Sequence, residues 1–244
     1  MKFLGIIPSR YASTRLPGKP LAMIQGKPMI QQVYERVKES NTLDKLIIAT
    51  DDERILNVAA SFGAEAILTS PLHNSGTERC SEVAAVIGND FEVVINIQGD
   101  EPFIESDHLI ALRNLFLKEE VQIGSLIKRI SSLDELKNPN VVKAVKSPDG
   151  KALYFSRTAV PYLRNIDEQD WLHHHLFFKH IGLYGYRKNT LLKIAQLSPT
   201  PLEQAESLEQ LRWLENNFSI HLAETFIETL SIATADDLMR ANKV

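Results

Sequence analysis

KFLGIIPSRYASTRLPGKPL, residues 2–21, decides how this chain is read. Its opening, residues 2–8, is apolar on both sides of an extended chain, as a central parallel strand covered on each face must be. It then breaks into a loop that holds Arg10, Arg15 and Lys19 among Pro17, Gly18 and Pro20. In an open α/β sheet, ligands bind beyond the carboxyl ends of the strands, so this loop faces the expected site. Glycine allows close backbone approach and proline stiffens the turn. Arginine grips phosphate oxygens in pairs, while lysine acts as a mobile point charge. With Ser13 and Thr14 as hydroxyl donors, the loop suits a polyphosphate; taken alone, it equally suits a solvated basic loop.

The charge distribution sharpens the point. The chain carries a formal charge of −4, yet no Asp or Glu precedes Glu35, and the charged side chains before it are Lys2, Arg10, Arg15, Lys19 and Lys27. Mild overall acidity argues against a general nucleic-acid binder, which needs a broad basic face. Local basicity points to one small anionic ligand. The 244 residues, 44% hydrophobic and 24% charged, suffice for a full core in one α/β domain, with or without a sizeable insertion. No apolar run reaches the roughly 18 residues of a bilayer span. MKFLGII is too short for a signal peptide, so a cytoplasmic location is expected. The single cysteine, Cys80, excludes an intrachain disulfide and is expected as a small buried hydrophobe on a helix.

Outward from the first strand, strands and helices alternate. Residues 28–40 open at Pro28 and repeat Ile30, Val33, Tyr34 and Val37 at helical spacing. Residues 45–51 read as a strand, 52–63 as a helix closed by Gly63, 65–70 as a strand, 76–87 as a helix and 91–98 as a strand. The alternation means a mostly parallel sheet with helices on both faces. The second half is a smaller mixed β/α part. Residues 122–130, 141–157 and 180–187 read as β segments, with a turn at Pro148-Asp149-Gly150. Residues 202–217 read as one long amphipathic helix that carries Glu206, Glu209 and Arg212 on one face and Leu202, Ala205, Leu208 and Leu211 on the other. A strand over 219–225 and a last helix from about Ala235 complete the chain. Residues 158–179 defy assignment and suit a mobile or interface segment.

Two further stretches carry chemistry. NIQGDEPFI, residues 96–104, delivers Gln98 and Asp100 to the end of a buried strand, where a carboxylate commonly holds a Mg²⁺ that bridges phosphates. HNSGTERC, residues 73–80, is a turn into a helix, with Ser75 and Thr77 as candidate caps and exposed backbone N–H groups that favour anions or base carbonyls. Neither a G-x-x-x-x-G-K-[ST] loop nor a G-x-G-x-x-G turn after a strand is present, which excludes P-loop enzymes and ordinary dinucleotide binders. His173–His175 lacks the supporting carboxylates of a metal site.

These motifs, together with ALYFSR, HIGLYGYR and SLEQLRWL further on, occur in the order and spacing of the 3-deoxy-manno-octulosonate cytidylyltransferase family, which the chain resembles over nearly its whole length. The resemblance implies one Rossmann-like nucleotidyltransferase domain over residues 1–244. It implies a Mg²⁺-dependent, typically homodimeric enzyme that makes CMP-Kdo and pyrophosphate from CTP and the sugar acid Kdo for lipopolysaccharide. Residues 122–187 or so would contribute to the sugar pocket and the dimer contact. Arg10, Arg15 and Lys19 would hold the triphosphate; Ser75, Arg79 and Gln98 would surround the cytidine and reacting phosphate; Asp100 would bind the metal. Arg157, His180, Tyr184, Glu209 and Arg212 would form the sugar-acid pocket. Taken alone, Glu209 and Arg212 read as a surface ion pair and His180 as a structural histidine.

One departure stands out. The family usually reads Gly-Val-Asp-Thr before its last helix, and that aspartate joins the metal site; here SIATADDL places Ala233 at that position. Asp236 and Asp237 read as ordinary carboxylates of a helix N-terminus. Two other functions therefore stay open: a cytidylyltransferase for a related sugar acid such as 8-amino-Kdo, and a catalytically weak nucleotide-binding regulator.

Overall fold

A computed structural model describes residues 1–12, 16–87, 90–228 and 231–243. The chain forms two compact units: Met1–Ile110 with Gly185–Gln196 and Thr229–Val244, and Ala111–Tyr184 with Leu197–Glu228.

In the first unit, strand β1 (Phe3–Ser9) is buried at six of its seven positions. Helix α1 (Met29–Glu39) buries Ile30, Val33, Tyr34 and Val37, as their spacing requires. Strand β2 (Lys45–Thr50) leads to helix α2 (Glu53–Ser61), whose Asp52 cap accepts from the Arg54 N–H. The chain leaves α2 through Gly63 at φ 73°, a left-handed exit that glycine makes without strain. Strand β3 (Ala66–Leu68), helix α3 (Gly76–Val86) and strand β4 (Val93–Asn96) follow. The order is β4-β1-β2-β3 and every pairing is parallel, each reached through a helical crossover. Cys80 is fully buried on α3. Helix α4 (Ser106–Leu115) closes this stretch.

The second unit is mixed. It holds strands β5 (Ile123–Arg129), β6 (Lys143–Lys146), β7 (Ala152–Ser156) and most of β8 (Phe178–Arg187). The β6–β7 hairpin is antiparallel and turns where predicted, with Gly150 at φ 87° and its N–H on the Ser147 carbonyl at 3.0 Å. The predicted long helix over 202–217 is instead two short ones, α5 (Pro201–Glu206) and α6 (Glu209–Glu215), separated by Ser207 at φ 51°. The expected apolar stripe breaks with it: Leu208 and Leu211 are buried, whereas Leu202 and Ala205 are exposed. The cause is tertiary. The Glu206 carboxylate accepts from Ser156 Oγ and the Arg157 N–H, and the Arg157 guanidinium collects the carbonyls of Glu206, Ser207 and Pro139, so the turn is drawn onto the end of β7. Strand β9 (Ile220–Glu224) pairs parallel with β5.

The segment 158–179 is ordered by a small core of its own. Trp171 and Phe177 pack with Ile130 and Leu136, and Trp171 Nε1 donates to the Ile166 carbonyl at 3.0 Å. The first unit ends with helix α7 (Ala235–Ala241). Ile232 and Ala241 pack with Ile24 and Met29, against Leu16, Ala22 and Phe103, which fixes the last segment beside the basic loop. The fold is α/β with parallel pairing dominant, as the alternation of elements implies.

Candidate active site

β1 and β4 end side by side, and the loops leaving them, with the turn into α3, make a cavity of about 290 Å³ lined by Arg10, Lys19, Ser75, Arg79, Gln98 and Asp100. Five of the residues singled out for nucleotide binding, Arg10, Lys19, Ser75, Arg79 and Gln98, thus meet the metal candidate Asp100 in one place. Ser13, Thr14 and Arg15 lie outside the described residues. The closeness of the two loops depends on Gly99: a β-carbon there would sit 3.1 Å from both the Pro8 carbonyl oxygen and Ser9 Oγ. A second glycine, Gly18, stands at φ 67° with its N–H on the Tyr11 carbonyl, closing the basic loop just before Lys19.

Lys19 Nζ meets Asp100 Oδ2 at 2.6 Å, both side chains partly exposed to the cavity. Sequence spacing assigns one to phosphate and the other to metal; the fold places them as an ion pair, poised to exchange partners with a charged ligand. Arg79 is buried and donates to Asp51 Oδ2 at 2.9 Å and to Thr69 Oγ1, so its guanidinium is held firmly where it enters the cavity. Ser75 caps α3 by accepting from the Glu78 N–H at 3.2 Å. Its hydroxyl is therefore partly committed to the helix.

Sequence reasoning misses four residues at or beside the cavity. Ser9 lines the cavity with a buried hydroxyl that has no partner among the described residues, a donor waiting for a ligand. His73 and Asn74 also line it, although only the turn as a whole is singled out by sequence. Glu101 follows Asp100 and is buried; burial first, and then the neighbouring Asp100 charge, pushes its carboxyl up to about 8. A burial of this kind has no signature in a loop sequence.

For a divalent cation, Asp100 is the available carboxylate. The Ile232 N–H donates to the Asp100 carbonyl at 2.8 Å, which sets position 233 next to Asp100, but Ala233 offers only a methyl group. Asp237 is spent in the capping of α7: it accepts from the Ala233 and Thr234 N–H groups and the Thr234 hydroxyl, and these bonds, led by the hydroxyl, hold its carboxyl below the usual range. Among the described residues no group of three potential ligands gathers. One carboxylate, supplemented by substrate phosphates and water, still fits the way Mg²⁺ is commonly bound.

The five residues assigned to the sugar acid lie in the second unit and fare differently. His180 Nε2 lies 2.8 Å from Ser125 Oγ, which also lies 3.2 Å from the Ile181 carbonyl and 2.9 Å from the Leu183 carbonyl. Burial depresses His180 to about 3, so it is neutral. Its ring lies 5.2 Å from that of Tyr184, whose hydroxyl is raised well above 10 by burial and, next, by the charge of Glu209. These three form one group. Arg157 is occupied by three backbone carbonyls at 2.7–3.2 Å. Arg212 makes a paired contact with Glu203 at 2.5 and 2.7 Å and donates to the Leu197 carbonyl. The pair that Arg212 makes with Glu203 is largely buried, not on the surface where sequence alone would set this arginine.

A sequence profile of the cytidylyltransferase family matches residues 4–225. The chain is 50% identical over 247 residues to the 3-deoxy-manno-octulosonate cytidylyltransferase of Bacteroides thetaiotaomicron, covering 100% of this chain and 98% of that protein. It is 49% identical over 245 residues to the enzyme of the same name from Parabacteroides distasonis, covering 99% and 97%. The solved structure of CMP:2-keto-3-deoxy-manno-octonic acid synthetase complexed with CTP superposes with a TM-score of 0.91 at 38% identity, covering 100% of this chain and 98% of that one.

Proposed function

Because the chain belongs to the 3-deoxy-manno-octulosonate cytidylyltransferase family, we infer that it transfers CMP from CTP to the 2-hydroxyl of Kdo, giving CMP-Kdo and pyrophosphate. The observation that carries this reading is the convergence of Arg10, Lys19, Ser75, Arg79, Gln98 and Asp100 on one cavity at the strand ends. The hydroxyl oxygen attacks the α-phosphorus and gives up its proton to solvent, and the bond to the bridging oxygen breaks as pyrophosphate leaves in line. Such a displacement needs positioning and charge neutralisation rather than a protein nucleophile.

Each residue has a place in this scheme. Arg10 and Lys19 bind the triphosphate, with Ser13, Thr14 and Arg15 of the same loop assigned to that role by family pattern. Entry of the nucleotide draws Lys19 from Asp100 onto phosphate. Asp100 would hold Mg²⁺, which when bound neutralises phosphate charge. Arg79 and Gln98 orient the nucleotide around the reacting phosphate. His180, Tyr184 and Glu209 offer neutral donors and one carboxylate to sugar hydroxyls, framed by Arg157 and Arg212. The enzyme acts on this reading in the cytoplasm, as a homodimer, and its product serves lipopolysaccharide assembly. Pyrophosphate release that requires both CTP and Kdo is the expected result. Release with neither dependence, or a stronger response to an amino-substituted Kdo, would move the substrate assignment.

A further inference from the structure

The turn at residues 70–75 forms one wall of the cavity, through His73, Asn74 and Ser75, yet it has almost no apolar anchorage. Thr69 before it and Thr77 after it are buried, but nothing between them is, and Leu72 is 84% exposed. What holds the turn is a set of polar ties to two carboxylates of α3. Glu82 Oε2 accepts from the Ser70 N–H at 3.0 Å and also meets His73 Nε2. Glu78 Oε2 accepts from the Asn74 N–H at 2.8 Å and lies 3.8 Å from His73 Nδ1. His73 thus stands between the two carboxylates, with its own side chain 19% exposed and that of Glu82 35%. Both ends of the turn are pinned to the same helix, one turn apart, and the imidazole joins the two pins.

We propose that Glu82, acting through His73, is a positioning residue for the base-reading turn and thereby sets selectivity for cytosine over uracil. The proposal rests on the CTP reading above. The two bases differ at one edge, where an exocyclic amine and a ring acceptor in cytosine become a carbonyl and a ring N–H in uracil. Backbone groups can tell these edges apart only if they stay within a few tenths of an ångström of hydrogen-bonding position, since the interaction weakens steeply with distance and angle. A correctly set turn leaves polar groups unpaired against uracil; a loose turn adjusts to either base. Glu82 and His73 supply the rigidity that the missing apolar contacts cannot. Among the described residues, the ties of Glu82 and His73 run to the turn and α3 and not to Arg10, Lys19 or Asp100.

The test is pyrophosphate release with CTP and with UTP, at fixed Kdo, for the unmodified chain, Glu82→Ala, Glu82→Gln and His73→Phe. In Glu82→Ala and His73→Phe the CTP/UTP ratio of kcat/KM is expected to fall on the order of tenfold, mainly through a higher KM for CTP, while KM for Kdo stays unchanged. Glu82→Gln keeps an acceptor for the Ser70 N–H and is expected to lose less. Thermal melts of all four proteins accompany the kinetics. A ratio that stays at the unmodified value, or CTP and UTP rates that fall in parallel with the melting temperature, would overturn the positioning role. Equal kcat/KM for CTP and UTP in the unmodified chain would instead overturn the CTP reading itself.

Discussion

The cavity in the first unit and the buried cluster in the second were assigned to the two substrates by the same kind of motif, yet they are built in opposite ways. At the strand ends Arg10 is exposed, Lys19 and Asp100 pair with each other beside the cavity, and the Ser9 hydroxyl that lines it has no partner among the described residues. In the second unit Arg157 and Arg212 are tied into the backbone and into Glu203, while His180 is neutral and hydrogen-bonded to Ser125. Charge held ready for a polyanion must stay exchangeable, so it sits in solvent-accessible pairs. The groups assigned to the sugar acid are instead held by the protein's own hydrogen bonds, so their positions are set before any substrate arrives.

The strongest way to break this contrast is at Asp100. Asp100→Asn should keep the fold and lower turnover at modest Mg²⁺ on the order of a thousandfold, since it removes the carboxylate of the site and the partner of Lys19. Near-normal pyrophosphate release would show that the cation is held elsewhere. Next comes Ala233→Asp, beside Asp100. A second carboxylate there should raise kcat about a hundredfold and lower the Mg²⁺ requirement, with CTP affinity little changed. Identical Mg²⁺ dependence in the two proteins would remove position 233 from the site.

Two arginines sharpen the comparison directly. Arg157→Ala leaves three carbonyls without their donor and should cost about 2–3 kcal/mol of stability, read as a lower urea midpoint. Arg10→Ala should leave the midpoint in place but weaken CTP binding or turnover by about 1.5–3 kcal/mol. The reverse outcome, with Arg10 structural and Arg157 dispensable for folding, would invert the contrast between the two regions.

The smallest effect expected is a pH dependence. His180 stays unprotonated in the fold down to about 3, whereas the unfolded chain takes up a proton near 6.5. The unfolded state therefore binds more protons below 6.5, and stability falls as pH falls. Between pH 6.5 and 5.5 the loss from this residue should be about 1 kcal/mol. His180→Asn should flatten that part of the curve; an unchanged slope would mean that the imidazole is protonated in the fold.

Much of this molecule is legible without its structure. The burial of β1, the periodicity of α1, the turn at Gly150 and the cap at Ser75 all follow from interactions within a few residues, and residue order carries those in full. The nucleotide cavity is legible for a related reason: parallel strands bring their carboxyl ends to one edge, so naming the strands names the loops that meet. Pairing is another matter. That Lys19 finds Asp100, that Arg157 collects carbonyls from residues 139, 206 and 207, and that Glu203 takes Arg212 depend on which groups the packed chain brings within hydrogen-bonding distance. The helix over 202–217 shows the limit most clearly. Its periodicity favours one continuous element, but the Arg157–Glu206 contacts hold Ser207 in a left-handed turn, and long-range hydrogen bonds outweigh a local preference worth only tenths of a kcal/mol per residue. Only the tertiary structure could decide that.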